Sequence, residues 1–159
     1  MDPDFLTAFH EAGHAVAAEL YGQRITRVEI VGDADHTGTT EALRLSTNPG
    51  GGENPHPAIE SVENRLRCVL AGTVAETMVS GREGFDETSE DLEVAARLAM
   101  KLVDDCVDVV PLLEEIRADL ERVFRAQWTV IEKLAGELVR RKSLSGAEAR
   151  AILGPLDSA

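Results

Sequence analysis

The sequence predicts a mainly α-helical fold with one small β-hairpin or sheet. Apolar residues recur at steps of three and four over most of the 159 residues, which is the period of helices packed on one face. Only two segments, 25–31 and 39–46, are β-branched and partly alternating. Aromatic residues make up 4% of the chain, so aliphatic side chains should dominate the core. Because no linker or repeat interrupts residues 1–159, we expect them to form a single domain.

The first part of the chain is predicted to hold one helix and the two strands. Asp2 and Pro3 are typical of an N-cap and a first helical residue, and the apolar periodicity then continues to about residue 21. The turn-forming residues of 32–38 join the two strand segments. Residues 47–57 hold three Gly and three Pro, which indicates a surface loop.

Four further helices are predicted in the rest of the chain. They cover about 58–80, 89–108, 112–141 and 146–153. Pro111 separates the second of these from the long third one. Ser145 and Glu148 match a capping box, which predicts the start of the last helix.

Composition excludes several classes of function. The net charge of −13 and the pI near 4.7 argue against binding nucleic acid or an anionic membrane surface through bulk electrostatics. The sequence contains no run of about 18 apolar residues, so it predicts no membrane span. The first residues lack the pattern of a secretory signal. Cys68 and Cys106 both lie in helical patterns and are expected to be core or half-buried thiols. Together these observations predict a cytoplasmic protein.

The sequence HEAGH at residues 10–14 is the most specific chemical signal. In a helix, positions i and i+4 lie on one face, so His10 and His14 can reach the same metal ion. Glu11 is offset by about a quarter turn, which leaves its carboxylate free to touch a water at the metal. This is the H-E-x-x-H pattern of zinc peptidases. Average composition produces it by chance in roughly one such chain in a few hundred, and its position on a helix that can pack favours the metal site.

A catalytic zinc site needs a third protein ligand, and the residues alone leave several candidates. His36 and His56 lie in predicted loops beside Gly and Pro. Glu76 lies in a helix that is otherwise apolar around it, and Asp91 lies at a helix start. Asp91 also has a purely structural interpretation, because a carboxylate there complements the helix dipole. Spacing and composition do not choose among these residues.

Longer stretches of the chain resemble a known family. The motif with Thr7 to Phe9 before it resembles the peptidase domain of the FtsH family, which are membrane-bound, ATP-dependent zinc proteases. Residues 71–76, followed by Ser80 and Gly81, are similar to that family's Gly-Gly-x-x-Ala-Glu helix. Residues 89–95 and 134–148 resemble its Asn-Asp-Leu-x-x-Ala-Thr helix start and its C-terminal helices, in the same order.

The resemblance implies a role for each candidate residue. It implies that His10, His14 and Asp91 are zinc ligands. It implies that Glu11 is the catalytic base and that Glu76 is a carboxylate near the metal that orients a ligand imidazole. The implied activity is hydrolysis of peptide bonds in peptides or unfolded proteins. An edge strand over 39–46 could then hold an extended peptide by β-augmentation.

The chain also departs from the family pattern. Only nine residues precede His10, so we expect a stand-alone peptidase domain without the ATPase module or the membrane segments. Ala71 replaces the first Gly of the family's pair, and Ala96 replaces a Thr. The segment between the third and fourth helices is short, where the family has an additional loop region. None of these changes removes a predicted zinc ligand.

Two alternatives to a stand-alone peptidase follow from the missing ATPase. One is a zinc-binding interaction module that has no proteolytic activity, although the intact Glu11 argues against it. The other is a proteolytic subunit that works with a separate ATPase or as a homo-oligomer. Substrate identity and oligomeric state are not determined by the sequence.

Overall fold

The computed structural model describes residues 2–30, 39–43, 62–82 and 89–156. Within these residues it contains five α-helices and three short strands. In chain order they are α1 (Pro3–Leu20), β1 (Arg24–Glu29), β2 (Thr39–Leu43), α2 (Val62–Ser80), α3 (Glu90–Ala99), α4 (Val109–Arg141), β3 (Ser143–Ser145) and α5 (Gly146–Leu153). The predicted fold class, mainly α with one small sheet, is confirmed.

The start of α1 follows from its first residues, and its packing follows from its small side chains. The carboxylate of Asp2 accepts a hydrogen bond from the backbone N–H of Asp4, and Pro3 occupies the first turn, where no N–H partner is needed. A Cβ added at Gly13 would lie 2.6 Å from the carbonyl oxygen of Ala71. The backbones of α1 and α2 therefore approach closely, and this contact brings the HEAGH face of α1 against α2.

The sheet has three strands in the order β2-β1-β3, with both pairings antiparallel. Val28 of β1 pairs with Thr40 on one side and with Leu144 on the other. The sequence predicted the first pairing but not β3, because three residues between two helices are too few to show alternation. Residues 44–46 of the predicted second strand lie outside the described part of the chain.

The third helix is shorter than predicted. It ends at Ala99 rather than near residue 108, and a 3₁₀ turn over Cys106–Asp108 precedes α4. The side chain of Asp105 accepts from the backbone N–H of Val107 and caps this turn, which competes with a continued α-helix. The prediction that Cys106 is a core or half-buried thiol is wrong for the same reason, since it lies on the exposed turn. Cys68, in contrast, is buried as predicted.

The long helix α4 contributes a continuous apolar face to the core. It begins two residues before Pro111, which is tolerated because the first turn of a helix leaves its N–H groups unpaired. Its predicted apolar stripe is buried and packs on α1, α2 and α3. The stripe contains Leu113, Ile116, Leu120, Val123, Gln127, Ile131, Leu134 and Leu138. Burial of each aliphatic side chain is worth about 1.5–3 kcal/mol, so α4 holds the helices that carry the site in place.

Both hydrogen bonds of the capping box between Ser145 and Glu148 are present at the start of α5. Among the described helices, none combines the length and the hydrophobicity that a bilayer crossing requires.

Candidate metal centre

The two histidines of the motif lie together on α1. One helical turn separates them, and their Nε2 atoms are 3.1 Å apart. The rings meet edge to face, with 4.7 Å between their centroids. Both side chains are mostly buried, with 22% of His10 and 18% of His14 exposed to solvent. The two Nε2 atoms therefore face one small shared space that solvent can still reach.

Helix α3 brings a carboxylate to the same space. Asp91, in the first turn of α3, places its Oδ2 atom 3.0 Å from His10 Nε2 and 3.2 Å from His14 Nε2. Among the described residues, these three form the only group of His, Cys, Asp and Glu side chains close enough to hold a metal ion. Of the candidate third ligands, His36 and His56 lie outside the described residues.

The donor set and its spacing fit zinc. Imidazole nitrogen and carboxylate oxygen are typical zinc ligands, with bonds of about 2.0–2.2 Å. In a tetrahedral site, such bonds place neighbouring donor atoms about 3.3–3.4 Å apart. The three distances here are 3.0, 3.1 and 3.2 Å. A small adjustment of side chains would therefore let these three ligands share one ion, and no fourth His, Cys, Asp or Glu of the described residues joins the group.

The other ring nitrogen of each histidine contacts α2. His10 Nδ1 lies 3.2 Å from Glu76 Oε2, and His14 Nδ1 lies 2.8 Å from the backbone carbonyl oxygen of Cys68. Both partners are acceptors, so each Nδ1 donates its hydrogen. This leaves Nε2 as the nitrogen of each ring that can bind a metal once it carries no proton. Glu76 thus lies where the resemblance expects a carboxylate that orients an imidazole.

His10 and Asp91 each shift the pKa of the other. Burial lowers the pKa of His10, but its hydrogen bonds to Asp91 and Glu76 and the negative charge of Glu11 outweigh this effect and raise it to about 10. Burial raises the pKa of Asp91, but its hydrogen bonds to both histidines hold it well below its usual value. Without metal, the Asp91 carboxylate is therefore ionised, and the His10 imidazole is protonated on both nitrogens and positively charged at neutral pH.

Glu11 is the most buried ionisable group of the motif. Only 4% of the residue is exposed, and its negative charge acts on the His10 imidazole. A carboxylate is costly to bury away from water unless charges or donors compensate it. Glu11 is therefore a buried carboxylate directly beside the candidate ligand His10 on α1.

Sequence reasoning missed the contribution of α2 beyond Glu76. Gly72 lies against both imidazoles, since a Cβ added there would be 2.4 Å from His14 Nε2 and 2.6 Å from His10 Nε2. The backbone carbonyl of Cys68 has no signal in the sequence, because every residue offers one. A glycine in the middle of a helix is a usable signal, since it costs about 1 kcal/mol relative to alanine.

The fold and the site together define a helical protein with a candidate centre of two histidines and one aspartate for a divalent metal. No protein-family model matches the chain, and no curated protein matches it. The resemblance to the FtsH family therefore stays a prediction.

Proposed function

We propose that this protein is a zinc-dependent peptidase that hydrolyses peptides or unfolded proteins. The observation that carries the proposal is the convergence of His10 Nε2, His14 Nε2 and Asp91 Oδ2 within 3.2 Å of one another, beside a buried Glu11. Purely structural zinc sites are normally closed by a fourth protein ligand. The described residues instead supply three ligands and an adjacent carboxylate, which is the arrangement of a hydrolytic site.

In this proposal each residue has one task. His10, His14 and Asp91 hold the ion, and Glu76 and the Cys68 carbonyl keep the two imidazoles in the tautomer that binds it. The chemistry that a bound zinc ion supplies at such a site is Lewis acidity, which lowers the pKa of water and polarises a peptide carbonyl.

Glu11 is the general base of the proposed reaction. Its carboxylate accepts the proton of the water that attacks the peptide carbon and then delivers this proton to the leaving amine. Only 4% of Glu11 is exposed, so its carboxylate is sheltered from bulk water directly beside the candidate ligand His10. Peptides or unfolded proteins as partners, and a cytoplasmic location, are part of the same proposal.

The direct test is Glu11→Gln, measured on an unfolded protein substrate with zinc bound. Gln keeps the size of the side chain but cannot accept the proton, so we expect cleavage to fall by about 10²- to 10⁴-fold while zinc stoichiometry stays the same. Glu90→Gln on the exposed start of α3 is a matched control that should cleave like the wild type.

Equal cleavage by Glu11→Gln and the wild type would contradict the proposal. Zinc binding without cleavage by either protein would instead support the non-proteolytic module. Cleavage that appears only with an added ATPase and ATP would support the role of a proteolytic partner.

A further inference from the structure

One face of α2 touches both histidines at regular intervals of four residues. Cys68, Gly72 and Glu76 lie one turn apart on this face. The carbonyl of Cys68 accepts from His14 Nδ1, and the carboxylate of Glu76 accepts from His10 Nδ1. Because the later residue on α1 meets the earlier one on α2, the two helices run antiparallel here. Gly72 lies between the two hydrogen-bonded turns and faces both Nε2 atoms.

The space at Gly72 is smaller than a methyl group. A Cβ there would lie 2.4 Å from His14 Nε2 and 2.6 Å from His10 Nε2, well inside van der Waals contact. The Cα–Cβ bond of a helical residue points toward the N-terminus. A side chain at position 72 would therefore lean toward the turn whose carbonyl holds His14 and would push on the atoms that bind metal.

We propose that Gly72 is a positioning residue of the metal centre, because only a bare helix backbone between the Cys68 carbonyl and Glu76 lets both imidazoles turn Nε2 toward one ion. This proposal rests on the proposed zinc site. It adds the requirement that position 72 carries no side chain. Gly72 acts through the histidines and touches no substrate.

Two other glycines provide a sharp contrast. At Gly13 a Cβ would meet the backbone carbonyl of Ala71 at 2.6 Å, which cannot move without separating α1 from α2. At Gly72 the obstacles are the ends of two side chains, which can swing away while the helices stay in place. At Gly136, on α4, a Cβ would meet nothing within 4 Å. Alanine at position 13 should therefore disturb the fold, and alanine at position 72 should disturb the metal site. Alanine at position 136 should disturb neither.

The test compares zinc affinity and metal-free melting temperature in Gly72→Ala, Gly136→Ala and the wild type. We expect Gly72→Ala to lose zinc affinity by about 10- to 100-fold and to lose the visible spectrum of tetrahedral Co²⁺, while the metal-free protein keeps its far-UV circular dichroism. Gly136→Ala should bind zinc like the wild type, since a Cβ at that position meets nothing within 4 Å.

Wild-type zinc affinity in Gly72→Ala would overturn this inference while leaving the proposed function intact. Absence of zinc binding by the wild type would overturn the proposed function itself.

A second comparison applies even if Gly72→Ala fails to fold. In a background that carries both His10→Ala and His14→Ala, the obstacles are gone, so adding Gly72→Ala should not lower the melting temperature. An equal drop in both backgrounds would show that the imidazoles are not what Gly72 accommodates.

Discussion

Asp91 has two interpretations at the level of the single residue, and experiment can separate them. It is one of three acidic residues in the first turn of α3, where a carboxylate complements the helix dipole, and its Oδ2 atom also lies within 3.2 Å of both Nε2 atoms. Glu90 lies in the same first turn of α3 but is exposed. The pair therefore offers a matched comparison of dipole and ligand.

We expect Asp91→Ala to weaken zinc binding by more than about 100-fold, because it removes a ligand rather than an outer partner of one. Glu90→Ala should leave zinc affinity unchanged and lower the melting temperature by at most a few degrees through the dipole term. Isothermal titration with zinc measures the first effect. Equal zinc affinity in Asp91→Ala and Glu90→Ala would move the third ligand elsewhere.

The protonation of His10 predicts that zinc binding releases a proton. Its pKa is raised from 6.5 to about 10 in the metal-free protein, so the imidazole is charged at pH 7, whereas zinc binds only the neutral form. Zinc affinity should therefore rise about tenfold per pH unit through the neutral range, with about one proton released per ion. Titration in two buffers of different ionisation enthalpy counts this proton, and a binding heat that is independent of the buffer would contradict the prediction.

The raised pKa of His10 also makes the metal-free fold less stable as the pH rises, whereas zinc affinity increases with pH. A raised pKa favours the protonated folded form, so this contribution to the free energy of unfolding is complete below pH 6.5 and is lost as the pH rises through about 10. Added zinc should reverse the trend, since it replaces the proton.

At the level of elements, the reactivity of the two cysteines tests where α3 ends, because Cys68 lies on α2 and Cys106 lies beyond α3. Burial raises the pKa of the Cys68 thiol to about 12, and the side chain is enclosed by α2 packing, whereas Cys106 lies on the exposed 3₁₀ turn. We expect one thiol per native chain to react quickly with an alkylating reagent and the second to react only after unfolding. Cys106→Ser should abolish the fast reaction. Two fast thiols, or none, would contradict the assignment of these segments.

The elements also show where sequence reasoning succeeds. Helix α1 and the capping box of α5 depend on local signals, namely apolar periodicity, Asp2 and the pair Ser145 and Glu148. The end of α3 was misplaced because Leu102 and Val103 continue the helical period past Ala99, while the side chain of Asp105 favours a separate turn. Apolar periodicity indicates which residues can face the core, but it does not indicate at which residue a helix ends.

At the level of the whole molecule, the candidate site depends on contacts between distant segments. The motif on α1 was predictable because both histidines lie within one turn of a helix. The approach of Asp91 from α3, the carbonyl of Cys68 and the gap at Gly72 depend on how α2 and α3 pack against α1. No local pattern encodes these distances, so the residues alone left the third ligand open and only the family resemblance selected Asp91.

The measurement that tests this account most directly is anomalous X-ray diffraction at the zinc edge from crystals of the zinc-loaded protein. We predict one peak per chain, within about 2.0–2.2 Å of His10 Nε2, His14 Nε2 and a carboxylate oxygen of Asp91. A peak held by other residues, or no peak in protein crystallised with excess zinc, would contradict the central claim.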